Sequence, residues 1–418
     1  MAKDNNKLVK NTSMLYILSF SNYFFGLVTV PYLTRVLGPS IYGKVGVGQA
    51  FSTYIQSFLD FGFILSATAE IAQVRDDLYK VSKIFISVLY CKVILIVVSL
   101  IVTLSLCCFV PFFMKDRALF LLFWAYMAVN SILPDFLYRG LERMEIITIR
   151  TVLLKMVFTA FVFLFIKKQE QYLLVPIFYM LGALFAVFFV LLDIFKTVKI
   201  KWIKVSVKDV FIELKSSGLF FVSRIAGTVY SALNTMVLGA VLPGSSELGF
   251  YSASEKLLTA GRGAITPITD SLYPHMVNKK DFKLAKKIIG LGVAVLGVGC
   301  VFVGIFAEQV CVIIFGDEYA DAANILRFML PLIITALPNY VIAFPVLTPL
   351  GMVKYANVAV IIGAIVQGSG IIVLYFLKNI NAYSICILTI ITELIVLSIR
   401  SMAAWYGLEI RRKRVENV

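Results

Sequence analysis

Long apolar runs separated by short charged clusters repeat along almost the whole chain. Most runs approach or exceed the ~20 residues an α-helix needs to cross the hydrocarbon core of a bilayer. Read between the charges, they predict twelve spans, near 12–36, 42–70, 84–113, 118–138, 151–166, 172–194, 216–240, 249–274, 288–307, 325–349, 357–377 and 382–405. The fifth is the shortest and starts in a polar stretch. Spans one and two are parted only by Gly38-Pro39-Ser40-Ile41-Tyr42-Gly43-Lys44. A glycine that ends one helix and a proline that starts the next predict a tight interhelical turn there.

Composition agrees with this pattern. Of 418 residues, 60% are hydrophobic and 15% charged, where soluble domains carry about 45–50% and about 25%. The expected class is an all-α integral membrane protein. With the N-terminus inside, 25 Lys and Arg fall in the inner segments and 6 in the outer loops, the bias of a chain with both termini cytoplasmic. The net charge of +15 is therefore mostly a topology signal, and no nucleic-acid partner is expected.

That orientation decides one tempting motif. Gly38–Lys44 fits the first seven positions of a G-x-x-x-x-G-K phosphate loop, but Val45 stands where a Ser or Thr would hold Mg²⁺. The turn also lies on the external face, away from ATP. Nucleotide-driven chemistry is not expected here. The six cysteines show no metal-ligand spacing, and the only histidine, His275, cannot build a histidine metal site or a catalytic relay. No catalytic group, metal site or cofactor is predicted, and no cleavable signal is expected, since the polar start leads straight into a full-length span.

An internal repeat points to a working surface. Twelve spans divide into two sets of six, residues 1–200 and 201–418, joined by the basic stretch Lys196–Lys215. Both sets would share one orientation, related by an axis along the membrane normal. A shift of 206 residues places Gly43 on Gly249, Gln49 on Glu255, Thr53 on Thr259, Gln56 on Arg262 and Asp60 on Thr266. In span eight these positions recur every three or four residues and so share one helix face. Spans one and seven repeat the pattern more weakly, with Asn22 on Thr228 and Thr29 on Thr235, and Arg224 and Asn234 nearby.

Hydroxyls and amides at such positions often only bond helix to helix. Ionised groups at a helix centre cost roughly 2.5–3.5 kcal/mol each and usually face a cavity or one another. Asp60, Arg224, Glu255 and Arg262 on matched faces therefore predict a hydrated path. Further basic residues inside or at the ends of spans are Arg35, Lys92, Lys155, Lys256, Arg327 and Arg400. A path rich in arginine suits an anionic cargo, because the guanidinium fork matches phosphate oxygens. The predicted path comprises Asn22, Arg35, Gln49, Gln56, Asp60, Arg224, Thr228, Asn234, Glu255, Lys256, Thr259 and Arg262. Coupling to H⁺ or Na⁺ through Asp60 or Glu255 stays open.

The run YILSFSNYFFGLVTVPYLTRVLGPSIYG (Tyr16–Gly43), followed by LDFGFILSATAEIA, LGFYSASEK, PITDSLYPHM and FGDEYADAANILRFMLP, resembles Wzx-type polysaccharide and O-antigen flippases of the multidrug/oligosaccharidyl-lipid/polysaccharide exporter superfamily. The resemblance implies two pseudo-symmetric six-helix bundles forming a V around a central cationic cavity. It also implies alternating-access flipping of an undecaprenyl-diphosphate-linked oligosaccharide to the outer leaflet of the bacterial inner membrane. A polysaccharide polymerase and a chain-length regulator are the partners it suggests, besides membrane lipids. Arg35, Asp60, Glu255 and Lys256 stand on matched motif positions, and Ala69-Glu70 departs from a common Arg-Glu. The alternatives are an ion-coupled multidrug or cation antiporter, which would favour buried carboxylates, and a membrane-embedded polymerase or glycosyltransferase. The latter usually needs a substantial external loop, and those here are only about ten residues.

Overall fold

A computed structural model describes residues 2–416, with side chains outside the description at 2–9, 12, 219, 222–224, 226, 229–231 and 414–416. The described chain is all-helical, without a strand. In order the helices are α1 (Ala2–Asp60), α2 (Phe63–Val74), α3 (Leu78–Phe109), α4 (Pro111–Lys115), α5 (Arg117–Ser131), α6 (Asp135–Gly140), α7 (Met144–Phe165) and α8 (Leu174–Asp193). They continue as α9 (Val207–Val241), α10 (Ser246–Lys279), α11 (Phe282–Ile305), α12 (Ala307–Phe315), α13 (Ala322–Val341), α14 (Val353–Phe376) and α15 (Ala382–Glu416).

Among the described residues nine helical segments are long and apolar enough to cross a membrane. The count differs from the predicted twelve for physical reasons. The first two predicted spans run together as one segment, Ser13–Val74. α10 has the length, at 34 residues, but its polar stripe keeps it out of the apolar set. α9 shows its apolar end, Ala232–Val241, and the rest of the predicted span near 216–240 falls partly on side chains outside the described residues. Large apolar side chains stand exposed along the lengths of these segments, Phe109 at 82% and Val298 at 73% among them. A water-facing surface would not tolerate so many together. This is a multi-pass membrane protein.

The helix boundaries follow local chemistry. α1 is broken at Gly38, whose φ of 67° lies in the left-handed region that glycine enters without steric cost. Asp77 caps α3, accepting from the backbone N–H of Tyr79 and Lys80, both at 3.1 Å. Ser245 caps α10 through Glu247 N–H at 3.0 Å, and Asp281 caps α11 through Leu284 N–H at 3.0 Å. The second predicted span is itself broken after Asp60, where Phe61 and Gly62 both take positive φ before α2 begins.

Packing groups the residues into two compact units: 1–37 with 45–228, and 38–44 with 229–418. The division suggested by the basic linker lay at 200/201. In the first unit α8 packs on α5 and α7, and α2 packs on α3 and α6. In the second, α13 packs on α10, α11 and α15. Burial separates centre from periphery: 61% of the apolar window of α13 is buried against 6% for α11. Ile265, Leu272 and Met276 of α10 meet Ala336, Leu337 and Val341 of α13 in that core.

Residues 38–44 belong to the second unit because their backbone is pressed onto α10. Ser40 Oγ donates to the Gly244 carbonyl at 2.6 Å. A Cβ on Gly249 would lie 2.0 Å from the Pro39 carbonyl oxygen, and one on Gly43 would lie 2.8 Å from Gly249 N. The two glycines paired by the 206-residue shift thus touch each other. Gly249→Val is expected to destabilise the protein by about 3 kcal/mol or more, because backbone cannot yield as a side chain can. Loss of monodisperse protein on size-exclusion chromatography in detergent checks this, with Gly26→Ala, which meets nothing within 4 Å, as the neutral control.

Candidate functional site

The polar groups of the two units are arranged differently. The first unit contains a cavity of about 340 Å³, at the lower end of the ~300–1,000 Å³ of small-molecule sites. Four basic side chains line it, Lys92, Arg139, Arg150 and Lys155, against two carboxylates, Asp60 and Asp135. Asn22 and Gln56 from α1 complete its polar wall.

The break between α5 and α6 builds one side. Pro134 cannot continue α5, so the chain turns and leaves backbone carbonyls without helical partners. Lys92, fully inside α3, donates to the Ser131 carbonyl and to that of Leu133 at 3.3 Å. Its ammonium also lies 5.4 Å from the centre of the Phe136 ring. Lys92 is thereby fixed as a helix-end lysine, with its charge held beside the cavity. Asp135, in the first turn of α6, is paired with Arg150 of α7. Lys155, one turn and a half further along α7, directs its Nζ at the Asn22 carbonyl, 3.5 Å away.

Arg139 differs from the other three. Among the described residues it takes no hydrogen-bond or ion-pair partner, and its Nε is buried. Its neighbour Arg143 is engaged instead, donating to both carboxylate oxygens of Asp193 at 3.2 Å. Tyr138 also donates to Asp193, at 3.0 Å. A half-buried cation with unused donors, in a cavity where basic groups outnumber acids, is arranged for an anion.

The second unit holds a network of buried side-chain hydrogen bonds. Arg262 of α10 donates through Nη2 to Glu393 Oε1 of α15 at 2.8 Å. Asn339 of α13 donates to Glu393 Oε2 at 2.9 Å, and Arg400 donates to Asn339 Oδ1 at 3.3 Å. A turn or more away, Asn234 donates to Thr389 at 3.0 Å and accepts from Gln367 at 2.7 Å, while Thr392 donates to Gln367 Oε1 at 2.8 Å. Glu255 accepts from Thr235 at 3.0 Å.

The predicted path residues divide accordingly. Asn22, Gln56 and Asp60 are brought together on the cavity wall. Asn234, Glu255 and Arg262 lie in the second unit, each with a partner. Thr228 hydroxyl shares a bond with Ser57 at 2.6 Å in the first unit. Gln49 is half-buried, its carbonyl accepting from Ser52 and Thr53 at 2.7 and 3.0 Å. Arg35 and Thr259 are exposed, Lys256 is half-buried, and none of the three lines the cavity. The Arg224 side chain lies outside the described residues.

Sequence reading missed Arg139 and Arg150 because both were counted among the inner topology charges. It missed Asn339 and Gln367 because single amides inside apolar runs carry no signal of their partners. Lys92, Lys155, Glu393 and Arg400 were visible as charges within spans, and that was the usable signal. Among the described residues no group of three His, Cys, Asp or Glu could hold a metal ion.

Comparison with known proteins places the chain. A family model described as "Polysaccharide biosynthesis protein" matches residues 8–280. The chain belongs to this family. A protein from Escherichia coli (strain K12), named "Putative O-antigen transporter", is 28% identical over 337 residues, covering 79% of this chain and 81% of its own length. A protein of the same name from Shigella dysenteriae is 25% identical over 370 residues, covering 86% and 90%. Among solved structures, an inward-facing MATE multidrug transporter of the MOP superfamily has a TM-score of 0.71 at 12% identity, covering 96% of both chains. The lipid II flippase MurJ, in an inward closed conformation, has a TM-score of 0.70 at 11% identity, covering 96% and 87%. The polysaccharide biosynthesis chain therefore shares the fold of these transporters.

Proposed function

We propose that this protein is a flippase for a lipid-linked oligosaccharide, not an enzyme. It moves an undecaprenyl-diphosphate-linked repeat unit by alternating access from the cytoplasmic to the outer leaflet of the bacterial inner membrane, through twelve spans with both termini inside. The observation that carries the reading is the cationic cavity of the first unit, with four basic groups against two acids. A diphosphate head group loses hydration on entering a low-dielectric bundle, and the loss must be made up by charge-assisted bonds. Arg139 has donors to offer, and Lys92, Arg150 and Lys155 supply further positive charge. The sugars follow the head group through the polar walls, while the polyprenyl tail stays in lipid. The family's description and the names of the two O-antigen transporter relatives support this cargo.

A cation antiporter, the rival within the same fold, would need an excess of carboxylates where the cavity has an excess of bases. Reconstitution separates them. In proteoliposomes carrying a fluorescent polyprenyl-diphosphate oligosaccharide, the full chain is expected to raise transbilayer movement over protein-free vesicles. No increase, together with raised resistance to cationic drugs in cells lacking efflux pumps, would replace the flippase reading with the antiporter one.

A further inference from the structure

One more cluster of ionisable groups is buried in the first unit, away from the cavity. The chain from Ser57 through α2 runs antiparallel to the first part of α9, and the contacts keep an almost constant register. Ser57 and Thr228 hydroxyls lie 2.6 Å apart, the Phe61 and Phe221 rings stack at 4.6 Å, and Ser66 and Ser217 hydroxyls lie 2.7 Å apart. A Cβ on Gly62 would lie 2.7 Å from the Phe220 Cβ. One helical turn beyond Ser66 stands Glu70, and one turn before Ser217 stands Glu213. The register brings these two carboxyls to the same level of the α2–α9 pair, where each acts on the other's charge.

Two ionised carboxylates cannot share a hydrogen bond, since both are acceptors only. Two carboxyls so placed pack stably against each other only with a proton between them. Glu213 is 7% exposed and its Oε2 is buried without a partner. Asp209 faces it from its own helix. From α3 comes Cys91, whose thiol donates to the Val210 carbonyl at 3.4 Å. The nearby cations are committed elsewhere: Lys83 to Asp209 at 2.8 Å and Arg75 to Glu142 at 3.1 Å. Among the described residues no basic side chain pairs with Glu213 or Glu70.

The geometry points to a one-proton site formed by Glu70 and Glu213, whose ligand is H⁺ and whose occupancy holds α2 against α9. Glu213 precedes the apolar stretch 216–240, and burial, reinforced by the Glu70 charge, pushes its carboxyl up to about 8. Folded Glu213 thus keeps its proton where an ordinary carboxyl has lost it. The contact is strongest at low pH and weakens as pH rises through about 8. Above that value two like charges face each other and the helices are pushed apart. In a flippase this would let a proton gradient act on the helices that border the cavity; that last step rests on the function proposed above, whereas the proton site does not.

Infrared difference spectroscopy on the substrate-free full chain in lipid tests the site, titrated from about pH 6 to about pH 10. A protonated-carboxyl band is expected to disappear with a midpoint near 8. Glu213→Gln keeps the volume and a hydrogen bond, and should delete that band. Glu70→Gln removes the like charge and should lower the midpoint by roughly one pH unit or more. A band unchanged by Glu213→Gln, or no band titrating above about pH 6, overturns the proposal. If the band titrates as expected but no lipid moves in the reconstituted assay at any pH, the proton site stands and the flippase reading falls.

Discussion

Glu393→Ala is expected to destabilise the second unit by about 3–5 kcal/mol, more than any other single side-chain truncation in it. The carboxylate accepts from Arg262 and Asn339 at once, and it is 7% exposed. Without it the Arg262 guanidinium loses the one carboxylate it pairs with among the described residues, and its Nε is already buried without a partner there. Asn339 in turn loses the acceptor that orients it towards Arg400. Arg262→Ala removes the other half of the pair and should cost less, because Asn339 still satisfies one carboxylate oxygen. The double replacement Arg262→Met with Glu393→Leu should recover most of the loss, since an apolar pair of similar volume leaves no buried charge. Thermal unfolding in detergent, followed by loss of monodisperse protein, reads all three. If Glu393→Ala unfolds within a degree or two of the wild type, the network contributes no stability and Arg262 is available for cargo.

That expectation alters the part Arg262 plays. Its depth in α10 marked it as a path residue. What depth could not convey was the identity of the partner. Glu393 lies 131 residues away on another helix, and a single sequence holds no signal that links the two. The 206-residue shift was more informative for spans one and two. There Asn22, Gln56 and Asp60 were selected by position alone, and all three line one cavity. Glycine followed by proline also marked the break in α1 at Gly38, since each residue has a conformational reason to stand there.

Other features were written in a degenerate code. The run Leu59-Asp60-Phe61-Gly62-Phe63-Ile64 reads as continuous apolar helix, yet the chain turns at Phe61 and Gly62. The turn is set by α9 approaching Gly62, a tertiary contact that no local pattern announces. Glu70 and Glu213 each sit at the end of a predicted span, where acids are commonplace, and only their antiparallel register makes them a pair. Arg139, Arg143 and Arg150 read alike as inner charges, but one faces the cavity unpaired, one clamps Asp193 and one binds Asp135.

These three arginines supply the most discriminating test of the cavity. Arg139→Ala and Arg143→Ala each delete one positive charge from the same short segment, so they weaken the orientation signal equally. Their other consequences diverge. Loss of Arg143 frees Asp193 and Tyr138, which should lower the amount of folded protein and leave the transport rate per molecule near normal. Loss of Arg139 breaks no internal bond among the described residues, so the protein should accumulate normally. It removes a charged donor set worth about 1.5–3 kcal/mol to an anionic head group, a loss of roughly tenfold or more in transport per molecule. Arg139→Lys restores the charge without the planar fork and should recover only part of the rate. The measurement is the initial rate of fluorescent lipid-linked oligosaccharide movement in proteoliposomes, divided by the amount of inserted protein. Equal rates for Arg139→Ala and wild type would show that the cargo's phosphates do not meet this cavity. The excess positive charge in the first unit would then need another explanation.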